Sequence, residues 1–210
     1  NMSGDFSLQG VEFDGDSKWT YRVLDLVGSN KSRIVDCHAK NFRYPTLDYS
    51  VDNLSAIFQF TECSNYKVID CTFSDIYYRD VAGVVLTNAN VSNGEKLGRC
   101  VQGAGAIADG KNADFRGNLF YETRTSVAVR HKNTTFRGNV WDAWSDNAIY
   151  HLSLSKMKVI GNDFSNSADE AIVTAGQDVT IIGNTFTDVD NKCVAFFGAA
   201  DNYIISDNHF

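Results

Sequence analysis

A short pattern, Gly-Asn-x-Phe or a close variant, recurs through the second half of the chain and constrains the fold more than any other feature. Its asparagines are 21, 23, 22 and 24 residues apart: Asn118, Asn139, Asn162, Asn184 and Asn208. Short apolar runs precede and follow each corner, and no segment between two repeats is long enough for a helix. A period near 22 residues built from strands and corners predicts a parallel β-solenoid with one coil per repeat. Leucine-rich repeats share this period, but their L-x-x-L-x-L frame is absent.

Equivalent residues of stacked coils lie directly above one another, about 4.8 Å apart. The repeated asparagines are therefore expected to form a ladder of stacked amides, and Asn also tolerates the left-handed backbone of a sharp corner. The aromatic residue of each repeat is expected to form a stack of rings inside the solenoid: Phe120, Trp141, Phe164, Phe186 and Phe210.

The same frame is visible but looser in the first half, where insertions separate the repeats. The larger insertions span residues 42–54 and 77–110, and they either form walls of a groove or only pack along one side. We therefore expect a single domain, residues 1–210, of about eight coils, with long insertions in 1–110 and regular coils in 111–210. The first residues do not read as a signal peptide, and the last read as an interrupted repeat, so we expect a fragment of a longer polypeptide.

Composition supports β structure and excludes several partners. The 26 acidic residues are mostly Asp, which favours turns, rather than Glu, which favours helices. The net charge of −7 disfavours nucleic acid, and no apolar run approaches the length of a membrane span. The five cysteines show no metal-binding spacing, so we expect buried core thiols and no metal or cofactor.

The segments 159–174 and 179–197, each with a Gly-Asn-x-Phe corner and a second apolar strand, resemble the right-handed parallel β-helix of the pectin lyase-like superfamily. They look most like the β-helices of bacteriophage tailspikes and polysaccharide depolymerases. The resemblance covers most of the chain, strongly from Asp114 onward. It implies an extracellular or virion-tail protein, a bacterial capsule, lipopolysaccharide or teichoic acid as partner, and a possible homotrimer. A β-helix hosts many chemistries, so the site needs its own argument.

Carboxylates recur immediately before the second strand of each repeat. Aligning the coils on their asparagines places Thr125, Asp146, Asp169 and Asn191 in one column, with Glu170 in the next. Carboxylates on adjacent coils would push one pKa upward, which supplies an acid and a base for glycoside hydrolysis. The simpler interpretation is that these acids only bond the backbone at a corner. An inverting mechanism needs a wider gap, such as that from Asp146 to Asp190 two coils on.

A second column in this alignment places Arg130 against His151. In lyases of this superfamily an Arg or Lys abstracts the proton beside a uronate carboxylate. The segment Val129-Arg130-His131 resembles the Arg-His step of alginate-lyase-like sequences. The position one coil earlier, where those lyases carry Lys, falls near Asp109 here, and this departure weakens the comparison.

Aromatic residues off the apolar frame complete the candidate site. Trp144 and Tyr150 fall near Glu122 and the acidic column, and rings beside carboxylates are typical of carbohydrate grooves. The main hypothesis is therefore hydrolysis by Asp146, Asp169 and Glu170. In it the substrate is held by six further residues: Glu122, Arg130, His151, Trp144, Tyr150 and Asp190. Two alternatives stay open, a non-catalytic receptor-binding or structural shaft and a uronate lyase with Arg130 as base.

Overall fold

The fold was analysed in a computed structural model. It describes residues 5–16, 22–44, 56–79, 85–86, 99–104, 110–123, 125–144, 146–151, 155–198 and 201–210. Every regular element in these ranges is a β-strand, and the strands form three sheets that the chain visits in turn. Within the described residues seven coils contribute a strand to each of the three sheets and an eighth contributes one strand to the first, close to the number expected. Among the described residues no helix is long and apolar enough to cross a membrane.

Sheet 1 opens each coil, and its strands pair in parallel. It contains β1 (Ser7–Gln9), β4 (Arg33–Val35), β7 (Lys67–Ile69), β11 (Asp114–Arg116), β14 (Thr134–Arg137), β17 (Met157–Ile160), β20 (Gln177–Ile182) and β23 (Asp201–Ser206). The central residue of these strands points inward, as expected for period-2 alternation. These residues are completely buried along the middle of the sheet: Ile34, Val68, Phe115, Phe136, Val159 and Ile181.

Sheet 2 follows the repeated corner. It contains β2 (Glu12–Asp14), β5 (His38–Tyr44), β8 (Thr72–Arg79), β12 (Leu119–Thr123), β15 (Val140–Trp144), β18 (Asp163–Ser167) and β21 (Thr185–Val189). A short strand from the larger insertion, β9 (Val85–Leu86), pairs antiparallel with β8. Most of that insertion, and of the one at 42–54, lies outside the described residues.

Sheet 3 closes each coil. It contains β3 (Leu24–Val27), β6 (Ala56–Thr61), β10 (Arg99–Ala104), β13 (Thr125–Val129), β16 (Ile149–His151), β19 (Ile172–Thr174) and β22 (Val194–Phe196). The fold predicted from the repeat, an all-β parallel solenoid, is confirmed.

The repeated asparagines form the expected ladder between sheets 1 and 2. The Nδ2 of Asn118 donates to the Oδ1 of Asn139 at 2.8 Å, and the next three rungs repeat this bond at 2.9 Å. Each Nδ2 also donates to a backbone carbonyl of sheet 1, and each Oδ1 also accepts a backbone N–H. These amides are fully hydrogen-bonded, so the bonds offset the cost of removing the polar groups at the corner from water.

The left-handed backbone at this corner belongs to the residue before each asparagine. Gly117 and Gly138 have φ values of 64° and 58°, and Asp70 takes the same conformation at 53° in an earlier coil. The expectation that Asn supplies the left-handed residue is therefore wrong. At this corner the two roles are divided between neighbours: the residue with positive φ bends the backbone, and the asparagine that follows it contributes the ladder amide.

The aromatic stack is also confirmed and begins one coil earlier than expected, at Phe73. Ring centroids along the column are 4.7 to 5.3 Å apart, and the planes lie within 7° of parallel. The six stacked rings belong to Phe73, Phe120, Trp141, Phe164, Phe186 and Phe210. Four of the five cysteines are buried, as expected, and burial raises the pKa of the Cys71 thiol to about 12.

Candidate functional site

Acidic and amide side chains collect at the corner that leads into sheet 3. The strand pairing aligns Ile149, Ile172 and Val194 on consecutive coils. Counting back from these residues places Asp146, Asp169 and Asn191 in one column, and Asn147, Glu170 and Lys192 in the next. The two columns predicted from the sequence are therefore correct for the last three regular coils.

The first regular coil departs from that alignment by one residue. Val127 pairs with Ile149, so Thr125 belongs with Asn147 in the second column. The same shift pairs Val129, not Arg130, with His151. The expected stacking of Arg130 on His151 is therefore wrong, because the coil between Asn118 and sheet 3 is one residue shorter than those that follow.

Asp169 and Glu170 share one set of donors. The Nδ2 of Asn191 donates to Asp169 Oδ1 at 2.9 Å and lies 3.1 Å from Glu170 Oε1. Lys192 Nζ donates to the same Glu170 oxygen at 3.2 Å. Asn147 Nδ2 is 3.5 Å from Glu170 Oε2, at the limit of hydrogen bonding. Three side chains from neighbouring coils thus fix the glutamate beside Asp169.

The environments of these two carboxyl groups move their pKa values in opposite directions. Partial burial, and then the hydrogen bond to Glu170, raise the pKa of Asp169 to about 6. The hydrogen bond from Asp169, together with Lys192, lowers the pKa of Glu170. When two pKa values diverge in this way, one carboxyl group can hold a proton while the other stays ionised. General acid–base catalysis needs one group in each of these two states.

Asp146 lies one coil before this pair. The hydroxyl of Thr125 donates to its Oδ2 at 2.6 Å, which fixes the carboxylate at the corner. Successive coils of a parallel sheet are about 4.8 Å apart, so the backbones of Asp146 and Asp169 are separated by about one strand spacing.

An aromatic surface lies on the outer face of sheet 3. Tyr150 is half-buried and stacks on Phe197, with ring centroids 6.2 Å apart and planes 17° from parallel. Phe197 keeps 39% of its surface exposed. Sequence reasoning missed Phe197, although two consecutive phenylalanines at the end of a half-buried strand cannot both point inward.

Two residues predicted to hold substrate are buried in the core. Trp144 is 0% exposed, and its Nε1 donates to the backbone oxygen of Glu170 at 3.1 Å. His151 is also 0% exposed, its Nδ1 lies 3.0 Å from the Thr174 hydroxyl, and burial lowers its pKa to about 4. Neither ring reaches the surface, so the prediction of direct substrate contact is wrong for both. Trp144 instead positions the backbone of Glu170.

The remaining candidates lie apart from the carboxylate pair. Arg130 is half-buried just after β13, where its backbone N–H donates to Gly103. Glu122 belongs to a column of left-handed residues in sheet 2, with a φ of 48°. Asp190 is exposed at the corner after β21. Within the described residues no group of three or more His, Cys, Asp or Glu is placed to hold a metal ion.

Comparison with known proteins gives one informative match. A family model described as a right handed beta helix region matches residues 55–210, which is more than half of the chain. A search of curated proteins finds no match. Among solved structures, that of QnrB1, a plasmid-mediated fluoroquinolone resistance protein, is 11% identical, with a TM-score of 0.18 over 92% of both chains. A TM-score this low carries no argument about fold or function.

Proposed function

This chain belongs to the family of right-handed β-helix proteins, and from that premise we propose that it binds a polysaccharide on sheet 3 and hydrolyses a glycosidic bond at the adjoining corner. The observation that carries the proposal is the pair Asp169 and Glu170, whose pKa values diverge at a half-exposed position. The nearby rings of Tyr150 and Phe197 supply a flat apolar surface on which a sugar ring can stack.

In this mechanism Asp169 is the general acid. Its carboxyl proton passes to the glycosidic oxygen as the bond from that oxygen to the sugar breaks. Glu170, held ionised by Lys192 and Asn191, accepts the hydrogen bond of Asp169 and so favours its protonated form. Asp169 therefore begins the reaction with a proton to give below about pH 6.

Asp146 is the nucleophile of the same mechanism. Its carboxylate attacks the sugar carbon as the leaving group departs, which forms a covalent glycosyl ester. Asp169, now ionised, then removes a proton from water, and the resulting oxygen nucleophile displaces Asp146. The two steps together consume one water and retain the configuration of the sugar carbon. The hydrogen bond from Thr125 orients the attacking carboxylate.

The proposal also covers the location, the substrate and the oligomeric state of the protein. The resemblance to tailspike and depolymerase β-helices supports an extracellular or virion-tail role, with a bacterial capsule, lipopolysaccharide or teichoic acid as substrate. It also supports a homotrimer, which sedimentation equilibrium would detect as a threefold mass. The net charge of −7 agrees with a glycan rather than a nucleic-acid partner.

A second candidate is a non-catalytic glycan-binding or structural shaft. The specific observation in its favour is that the same corner residues join successive coils, as Thr125 does with Asp146 and Asn191 with Asp169. The uronate-lyase alternative has less support, because its candidate base Arg130 has lost the expected partner His151.

Product analysis separates the three candidates. The protein is incubated with capsular, lipopolysaccharide, teichoic-acid and uronate glycans, and new reducing ends and the absorbance of unsaturated uronates are both measured. New reducing ends without that absorbance support hydrolysis. Asp169→Asn or Asp146→Asn is then expected to abolish the release of reducing ends, whereas the control Asp163→Asn on sheet 2 is not. The unsaturated product would instead indicate a lyase. Glycan binding without either product would indicate the shaft.

A further inference from the structure

A groove of about 690 Å³ lies on the outer face of sheet 1, across β7, β11, β14 and β17. We propose that this groove is a second glycan site, which binds an anionic polysaccharide through its carboxylate or sulfate groups. It lies on a different sheet from the corner carboxylates, so the proposal stands whether or not the chain hydrolyses a glycan.

The charge of the groove is opposite to that of the chain. Only one of its lining residues, Asp114, is acidic. Four are basic: Lys67, Arg137, Lys156 and Lys158. The whole chain has a net charge of −7. Cations gathered in a concave surface of an acidic protein attract anionic ligands there while the remaining surface repels them.

Two of these lysines keep their charge available. Within the described residues neither Lys67 nor Lys158 forms an ion pair, and both are exposed. Lys156 has a long contact with Asp178, at 3.8 Å. Because exposed ion pairs of this kind are weak, a ligand anion can compete for Lys156 at little cost.

The single acid of the groove, Asp114, lies near Arg137, the one arginine in the described part of the groove's lining. Asp114 is mostly buried, and its Oδ2 accepts a hydrogen bond from Arg116 at 2.8 Å. The Nε of Arg137 lies 3.6 Å from its other oxygen. The Arg137 side chain is half exposed and, within the described residues, forms no hydrogen bond to that oxygen, so its guanidinium stays open to a ligand. A solvent-facing guanidinium suits bidentate recognition of carboxylate or sulfate.

The strand register sets the direction of the ligand. Lys67, Asp114, Thr135 and Lys158 are paired on consecutive strands of sheet 1. At about 4.8 Å per strand, the backbones of Lys67 and Lys158 are about 14 Å apart along the solenoid axis. A polymer lying along that axis therefore meets a lysine at each end of the groove and Arg137 between them.

Neutral groups along one wall favour a sugar over other polyanions. Asn112 donates to Asn65 at 2.7 Å, and Asn133 donates to Asn112 at 3.2 Å, so three exposed amides hold one another in a row. Their remaining donors and acceptors, with the Thr135 hydroxyl, match sugar hydroxyls. Among the described residues that line the groove none is aromatic, so the base stacking that single-stranded nucleic acid uses is absent.

Binding is tested with labelled oligosaccharides of chondroitin sulfate, alginate and polygalacturonate, with dextran as the uncharged control. At least one acidic glycan is expected to bind, dextran is not, and affinity falls as salt rises. Lys158→Gln is expected to weaken binding up to about fivefold and Lys67→Gln with Lys158→Gln about tenfold or more, since each removes one exposed ionic contact. Both side chains are exposed, and unchanged far-UV circular dichroism would show that the variants fold.

A matched control is Lys40→Gln, which makes the same charge change on sheet 2. It is expected to leave binding unchanged. The proposal is overturned if no acidic glycan binds, if Lys40→Gln weakens binding as much as Lys158→Gln, or if a single-stranded oligonucleotide binds more tightly than every glycan. Asp169→Asn separates this site from the hydrolytic one, because it is expected to leave binding at the groove unaltered.

Discussion

Asn139 donates both its backbone N–H and its Nδ2 to a single oxygen, Oδ1 of Asn162, each at 2.9 Å. Asn162 in turn donates to Asn184 Oδ1 and to the backbone oxygen of Phe136. One side chain thus joins three coils, and its loss would leave several buried polar groups without partners.

Asn162→Ala is therefore expected to lower the free energy of unfolding by about 3 to 5 kcal/mol, which is large for a single substitution. Urea denaturation measures it. Asn191→Ala removes an exposed asparagine of the same solenoid and is expected to cost about 1 kcal/mol or less. Equal effects of the two substitutions would show that the ladder is not a principal source of stability.

Trp141 is completely buried between Phe120 and Phe164, and its Nε1 has no hydrogen-bond partner within the described residues. Trp141→Phe places the ring used by the neighbouring coils there and removes the unpaired donor. It is expected to change the free energy of unfolding by less than about 1.5 kcal/mol. Trp141→Ala breaks the stack and leaves a cavity, at a cost of about 3 to 5 kcal/mol. A Trp141→Phe variant as unstable as Trp141→Ala would contradict the stacking argument.

The ladder and the ring stack are predictable from the sequence because each depends on one kind of side chain, an amide or an aromatic ring, that recurs at a period near 22 residues. The positions of Trp144 and His151 were misjudged for different reasons. A left-handed residue, Ala143 with a φ of 57°, interrupts the alternation of β15, so Trp144 returns to the interior three positions after Trp141. His151 follows the inward alternation of Ile149, and the alignment that placed it against Arg130 is wrong by one residue in the coil before it.

The rise of one carboxyl pKa at the corner was anticipated, but the partner responsible was not. Proximity of Asp146 was expected to raise it, whereas burial and Glu170 raise the pKa of Asp169. The side chain of a sequence neighbour is hard to place from coil alignment alone, because its rotamer depends on contacts with Asn191 and Lys192 from the next coil.

Stability is expected to depend on pH through Asp169. Its pKa is raised from 3.8 to about 6 on folding, so the folded chain binds more protons than the unfolded chain between these values. Stability from this group is fully present below about pH 4 and is lost as pH rises to about 6. The pKa of Glu170 is lowered on folding, so this group acts in the opposite sense: its contribution to the stability of the fold is lost as pH falls.

Urea midpoints measured from pH 4 to pH 7 for the protein and for Asp169→Asn test this effect. The wild type is expected to lose more stability than the variant across that interval, since the variant has no proton to release. A parallel pH dependence of the two proteins would contradict a raised pKa at Asp169.

The stacked rings of Tyr150 and Phe197 on the outer face of sheet 3 are expected to bind sugar directly. Tyr150→Ala or Phe197→Ala removes one face of the stacked pair and is expected to raise KM for the glycan about 2- to 10-fold, with a smaller change in kcat. Tyr121→Ala, at an exposed tyrosine on sheet 2, is the matched control and is expected to leave KM unchanged. A larger effect from Tyr121→Ala would place the glycan on another face.

The most direct test of the corner chemistry is the pH dependence of kcat/KM for release of reducing ends from a cleaved glycan, because kcat/KM reports the pKa values of the free enzyme. If Asp169 is the general acid, kcat/KM falls above about pH 6, as this carboxyl loses its proton, and the kcat/KM of Asp169→Asn is at least about 100-fold lower across the range. An Asp169→Asn variant that cleaves at the wild-type rate, with the same decline above pH 6, would contradict the proposal.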